Sequence, residues 1–258
     1  MLNNEIGNKY ILTKILGVGS FGYTYKGYNK RTKEDVAIKV EKNNSEYSFF
    51  KNEAIFYRFF KFTDFIPNIR TYGKNGIDNY IVMDLLGQSL TNYHILSVKH
   101  RYNYTIARLI EIISIVHNEG VIHRDIKPDN FLFDTKNEKI FIIDFGMSRF
   151  YKKDNKHIPF ERNHSIIGSK NYCSVNVHNR QGLYRRDDLE SIAYIYLFLK
   201  YRELPWQNFD CEEEIKNSKL NYRSDKIYNV FIDYVRSLDF SCDPDYLYIR
   251  RLFITETT

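Results

Sequence analysis

The chain has 258 residues, 43% of them hydrophobic and 27% charged, the composition of a soluble globular protein with ample material for one large domain or two small lobes. Its net charge is +6, but Lys and Arg form no long run, which excludes a dedicated nucleic-acid arm and leaves a mild bias toward acidic or phosphorylated partners. Cys173, Cys211 and Cys242 form no CxxC pair, which excludes a zinc spacing and a disulfide framework and points to a reducing compartment.

In chain order, the opening MLNNEIGNKYILTK is no signal peptide. The N-terminal part alternates as strands do over Tyr10–Leu16, Tyr23–Tyr28 and Asp35–Val40. A helix is expected over Ser45–Phe62, with Phe49, Phe50, Ile55, Phe56, Phe59 and Phe60 as its apolar stripe. Strands over Ile69–Tyr72 and Tyr80–Leu85 flank a KNGIDN turn. After Gly87 the pattern turns helical. Arg101–Glu119 carries Ile106, Leu109, Ile110, Ile113 and Val116 at helical spacing and stops at Gly120. Its apolar window, Ile106–Val116, is broken by Arg108, Glu111 and Ser114 and is too short to span a bilayer, so no membrane association is expected. Short strands follow at Phe131–Phe133 and Ile140–Ile143, then a buried helix over Asp188–Lys200 and final helices over Ile227–Leu238 and Asp245–Phe253. The expected architecture is α+β and bilobal: a β-rich lobe over 1–86, a larger helical lobe over 87–258, and a hinge near Asp84–Gly87.

The most informative stretch is HRDIKPDNF, from His123 to Phe131, followed by IDFG closing at Gly146. Asp125, Lys127, Asn130 and Asp144 then stand in the order that phosphoryl transfer from ATP requires. Asp125 can accept a hydroxyl proton, and Asn130 and Asp144 can hold Mg²⁺ through hard oxygens. Lys127 can neutralise charge on the phosphoryl group in flight, and its place two residues after Asp125 is the Ser/Thr-type arrangement rather than the tyrosine type. Gly17-Val18-Gly19-Ser20-Phe21-Gly22 is a GxGxxG string that dinucleotide folds also use. Here it lies between two strands rather than before a helix, which favours a lid over ATP phosphates. Val36-Ala37-Ile38-Lys39 matches the phosphate-binding lysine motif, with Glu53 as the expected partner of Lys39 and Glu46, at the helix entrance, as its competitor. Met83 is placed behind the adenine. Arg124 offers a guanidinium to an anion, and Asp188 is expected to fix the catalytic loop by hydrogen bonds.

With these residues in place, the chain resembles the casein kinase 1 family of Ser/Thr protein kinases over nearly its whole length. LGVGSFG, VMDLLGQSL, HRDIKPDNF, HIPFERN, YCSVNVH, RRDDLES, LPWQ and RSLDFSCDPDYLYIRRLF carry the resemblance. The most telling mark is Ser174-Val175-Asn176, where most protein kinases have Ala-Pro-Glu. The resemblance implies a bilobal, constitutively active, monomeric enzyme of the cytoplasm or nucleus, with ATP and Mg²⁺ between its lobes. It implies nucleotide contacts from Leu16, Gly17, Gly19, Ser20, Gly22, Thr24, Ala37, Lys39, Glu53, Met83, Asp84 and Leu86. It also implies a basic anion pocket, here Arg124, Arg149 and Lys170, that selects protein substrates with acidic or phosphorylated residues before the target Ser/Thr.

Several positions depart from the family. Thr24 replaces a Val expected over the adenine. His164 stands for the usual Lys of the pocket and Asn171 for the usual Arg; Lys170 is adjacent, but neighbours on an extended segment point in opposite directions. Weaker dependence on phospho-priming is therefore expected, with His164 strengthening anion binding below about pH 6.5. The segment Asp144–Ser174 has no phosphosite at the usual place, leaving Ser165 and Ser169 as candidate hydroxyls. Asn208–Lys226 is short and carries Asp210, Glu212, Glu213 and Glu214 where the family is basic, and no Ser/Thr-rich tail is expected after Thr258. A pseudokinase scaffold would need Lys39, Asp125, Asn130 or Asp144 to be lost, and none is. A small-molecule phosphotransferase is disfavoured by Pro128, Ser174–Asn176 and the RRDD helix.

Overall fold

A computed structural model describes residues 5–19, 22–41, 49–61, 63–76, 78–92, 99–136, 138–162 and 165–254. In chain order its elements are β1 (Glu5–Ile6), β2 (Tyr10–Gly19), β3 (Gly22–Asn29), β4 (Asp35–Glu41), α1 (Phe49–Phe59), β5 (Ile69–Asn75), β6 (Asp78–Asp84) and α2 (Lys99–Asn118). Then come β7 (Val121–Ile122), β8 (Phe131–Phe133), β9 (Ile140–Ile142), β10 (Arg149–Phe150), α3 (Val175–His178), α4 (Arg185–Tyr201), α5 (Glu212–Asn221), α6 (Lys226–Ser237) and α7 (Tyr246–Ile254). The α+β class expected from the sequence is the one observed: a β-rich N-terminal part and a helical C-terminal part. Among the described residues no helix is long and apolar enough to cross a membrane.

The chain forms two compact units, Met1–Leu90 with Phe131–Gly146, and Thr91–Asn130 with Met147–Thr258. The first contains an antiparallel six-stranded sheet in the order β1-β2-β3-β4-β6-β5. Alternation decides its two faces. Val36 and Ile38 join Ile6, Tyr10, Tyr80 and Val82 in one apolar cluster. Ala37 and Lys39, one residue out of step, fall on the other face. Helix α1 buries Phe50, Glu53, Ala54, Phe56 and Tyr57. The expected stripe therefore needs correction, since Ile55 and Phe59 are about half exposed. The true stripe runs through Phe50, Glu53 and Tyr57, and its charged member disguised the period. Residues 42–48 and 62, including the ends of the expected helix and Glu46, lie outside the described residues.

The expected division after residue 86 also shifts. The β8–β9 hairpin is hydrogen-bonded to the segment after β6: Gly87 N–H donates to Phe133 O at 2.8 Å, Phe133 N–H to Gln88 O at 2.9 Å, and Leu90 N–H to Phe131 O at 2.8 Å. Gly87 permits this approach, because a Cβ there would lie 2.7 Å from Asp134 O. Residues through Leu90, and the whole stretch carrying Asp144, thus belong to the first unit.

The second unit is built on α2 and α4. Ile106, Leu109, Ile110, Ile113 and Val116 of α2 are fully buried, as their spacing predicts. α2 packs on α4 and α7, and α4 on α6. Helix α4 starts at Arg185, three residues before the expected Asp188. Helix α5 was not anticipated. It buries only Ile215 and Lys219, too few for a readable stripe, though Glu212, Glu213 and Glu214 suit a helix N-terminus.

An ion pair with a buried carboxylate ties α4 to α6 in this unit. Glu190 of α4 accepts from Arg236 of α6 (3.1 Å), from Tyr194 Oη and from Val175 N–H (3.2 Å). Removing one partner of such a pair strands the other. Glu190→Gln is expected to lower unfolding free energy by about 3 kcal/mol, read from urea denaturation, and the double variant with Arg236→Met to recover most of it.

Candidate functional site

The residues singled out in the sequence gather into two groups, one in each unit. In the first, Lys39 on β4 donates through Nζ to Glu53 Oε2 on α1 (2.8 Å) and to Asp144 Oδ1 just after β9 (3.0 Å). Glu53 is the partner that the sequence predicts. One helical turn beyond it, Tyr57 bonds to Glu53, and its hydroxyl oxygen accepts the Asp144 N–H at 3.1 Å. Asn52 Nδ2 donates to Gly146 O at 2.8 Å. Phe145 seats against Phe56, Tyr57 and Phe60, with ring centroids 6.3, 5.6 and 5.3 Å away. The segment after β9 is thus clipped to α1 at three consecutive residues, 144–146, although the backbone of Asp144 is left-handed (φ 67°).

The electrostatics follow from burial. Burial works against the Lys39 charge, but the carboxylates of Glu53 and Asp144 outweigh it and hold the ammonium well above its ordinary range. Burial pushes Glu53 up to about 7, against the pull of Lys39 and with the help of Asp144.

The glycine string lies where β2 turns into β3, with Gly17 opposite Thr24 and Gly19 opposite Gly22. Gly22 is required by the fold, since a Cβ would meet Val40 O at 2.0 Å. At Gly17 an added Cβ meets no described atom within 4 Å, so packing imposes no glycine there. Ser20, another expected nucleotide contact, lies outside the described residues. Thr24 stands across from Lys39, and Ala37 across from Met83, both of the latter buried. Leu16 is half exposed and Leu86 half buried. Asp84 is engaged elsewhere: Arg70 Nε donates to its Oδ1 at 2.9 Å and Asn68 to its Oδ2.

The second group centres on Asp125, which is 7% exposed. Its Oδ2 accepts from Lys127 Nζ (2.6 Å) and Asn130 Nδ2 (3.3 Å), while its Oδ1 accepts from Ser169 N–H (3.0 Å) and Ser169 Oγ (2.9 Å). Asn130 Nδ2 also donates to Asp125 O at 2.8 Å, which commits its amide nitrogen to the loop. The loop is hung from Asp188 of α4. Oδ2 takes the His123 N–H (2.7 Å), Oδ1 the Arg124 N–H (2.9 Å), and His117 Nε2 lies 3.0 Å from Oδ2. Burial works to raise the Asp188 pKa, but His117 and the donors around it win and hold it below the usual range. Asp187, its neighbour, accepts from Ser174 Oγ (2.6 Å), Asn176 Nδ2 (2.9 Å) and Tyr184 N–H (2.7 Å). Burial pushes Asp187 up to about 6.

Of the residues expected to form an anion pocket, Arg124 and Arg149 are near enough to act on each other electrostatically. Burial, and then the charge of nearby Arg149, lower Arg124 to about 10, while its Nε donates to Met147 O. Lys170 does not join them: its ammonium turns to Phe209 O at 3.5 Å. His164 lies outside the described residues. Sequence reading missed Glu161, which grips Arg149 with both carboxylate oxygens (2.6 and 3.1 Å). It also missed Ser169 as a partner of Asp125, having read it only as a hydroxyl open to phosphorylation. The adjoining Gly168 was the available signal. Gly168 is left-handed (φ 85°), and its ideal Cβ would lie 2.6 Å from Arg124 O, which marks a close approach to the Asp125 loop.

The family model for the protein kinase domain matches residues 10–241, a span that includes both groups.

The raised Glu53 has a consequence for pH. Because burial raises its pKa, Glu53 takes up a proton at a higher pH than an ordinary glutamate does, and its hold on Lys39 weakens as it does so. On the acid side of neutrality kcat/KM for ATP is expected to fall roughly tenfold per pH unit. Glu53→Gln should be slower throughout and lack that limb; a flat wild-type profile through this range would show that Glu53 stays ionised.

Proposed function

The chain belongs to the protein kinase family, and on that premise we propose that it is a Ser/Thr protein kinase of casein kinase 1 type, acting as a monomer inside the cell. The observation that carries the reading is the setting of Asp125. Its carboxylate is nearly buried and receives four hydrogen bonds from Lys127, Ser169 and Asn130. Such a group is oriented in advance and needs little reorganisation to take a proton.

In this reading Asp125 orients the Ser or Thr hydroxyl and accepts its proton. Lys127, beside it, stabilises the charge that develops on the phosphoryl group. Lys39, kept protonated by Glu53 and Asp144, holds the α- and β-phosphates. Gly17, which packing does not require to be glycine, lets the backbone approach those phosphates. Ala37 and Met83 supply an apolar bed for the adenine.

Mg²⁺ suits the donor set. The Asn130 amide oxygen and the Asp144 carboxylate are hard oxygens of the kind it takes alongside phosphate and water. Among the described residues no cluster of three or more His, Cys, Asp or Glu side chains forms a metal site by itself. When bound, it neutralises phosphate charge. The casein kinase 1 assignment is supported by Ser174 and Asn176, whose side chains are both held by Asp187. Substrates are proteins with acidic or phosphorylated residues before the target, a class favoured by the net charge of +6.

A radiolabelled-ATP assay on casein tests the reading. The wild type should transfer phosphate, EDTA should abolish transfer, and Asp125→Asn should lower kcat by about three orders of magnitude. A folded wild type that transfers nothing in the presence of Mg²⁺ would overturn it.

A further inference from the structure

The pair formed by Arg149 and Glu161 is more than a chance surface contact. Arg149 sits on β10, opposite Ile122 of β7, two residues before Arg124. The charge of Arg149 acts on the Arg124 guanidinium, and two such groups repel each other and call for an anion. Glu161 supplies one from within the chain. Both carboxylate oxygens engage both terminal nitrogens of Arg149, the fork geometry that Arg otherwise presents to a phosphate.

The backbone of Glu161 is fixed as well. Its carbonyl accepts the Gly182 N–H at 2.8 Å, and its N–H donates to Tyr184 Oη at 2.9 Å. Tyr184 Oη in turn donates to Pro159 O at 3.1 Å. Gly182 is held to glycine by this approach, since its ideal Cβ would fall 2.8 Å from Glu161 O. The side chains of the pair are 38% and 49% exposed, so the contact adds little stability. What it changes is local charge, from two positive groups to a net of one, and the availability of the Arg149 fork.

We propose that Glu161 is a specificity-determining residue: a resident carboxylate that fills the Arg124–Arg149 anion pocket and removes the advantage of a phosphorylated substrate. A phosphate arriving there must break two charge-assisted hydrogen bonds and meet the Glu161 charge at short range. The pocket is satisfied without priming and without phosphorylation of the segment that carries Glu161.

The inference rests on the protein-kinase reading, and one experiment separates the two. Initial rates are measured on a matched peptide pair carrying Ser or phosphoserine three residues before the target Ser. The wild type should use both within about twofold. Glu161→Gln should favour the phosphopeptide by about tenfold, through a lower KM rather than a higher kcat. Arg149→Ala in the Glu161→Gln background should return the ratio to that of the wild type. Inorganic sulfate should raise the melting temperature of Glu161→Gln more than that of the wild type, a readout independent of turnover. A Glu161→Gln ratio equal to the wild type, or an equal fall on both peptides, would overturn the inference while leaving the kinase reading intact. A wild type inactive on both peptides would instead fail the kinase reading.

Discussion

The second unit depends on two adjacent carboxylates. Asp187 and Asp188 open α4, are almost fully buried, and point their oxygens at different segments. Asp188 takes consecutive backbone N–H groups of His123 and Arg124 and so sets the loop that carries Asp125. Asp187 takes Ser174, Asn176 and the N–H of Tyr184, and so sets the end of the segment that carries Ser169. Burying two neighbouring acids is expensive unless each is saturated with donors. Here each has three, and those donors belong to the segments that must be positioned. One helix thereby holds both Asp125 and the residue that hydrogen-bonds to it, which is why Ser169 can reach Asp125 across 44 residues of sequence.

The first unit solves the same problem with a helix and the opposite charge. Lys39 draws Glu53 and Asp144 together, and α1 reinforces the arrangement through Asn52 and Tyr57. Three of these groups, Asn52, Glu53 and Tyr57, lie within about one and a half turns of α1. The helix bears on the segment after β9 with its polar side chains and, through the rings of Phe56 and Tyr57, with its apolar surface.

Most of the elements and the residues of the two candidate groups were legible in the sequence, for a physical reason. Helices α2 and α6 each carry a clear apolar stripe, α4 is apolar almost all round, and β4 and β6 are short apolar runs. Lys39, Asp125, Asn130 and Asp144 sit in strings whose spacing is fixed by chemistry. What was hidden lacks either signal. Helix α5 buries only two side chains, one of them Lys219. The stripe of α1 is interrupted by a buried glutamate that serves the site rather than the core. Partners such as Ser169 and Tyr57 belong to residue types that occur all along this chain. Their role is fixed by tertiary proximity, which no local pattern encodes. Lys170 shows the converse: adjacency in sequence suggested a pocket residue, whereas its side chain turns to Phe209.

Arg124 and Asp144 show how the two units treat strain. Both have left-handed backbones, φ 70° and φ 67°, unusual for residues with a Cβ and costing on the order of 1 kcal/mol each. Such a conformation persists only where the surroundings over-determine it. In each case a side chain from a helix captures the N–H of the strained residue itself: Asp188 takes that of Arg124, and Tyr57 that of Asp144. A second anchor lies within two residues, the His123 N–H on Asp188 in one unit and the Gly146 carbonyl on Asn52 in the other. Relaxing either backbone to a right-handed conformation would break two hydrogen bonds to recover one modest dihedral penalty. The balance favours the strained form at both residues.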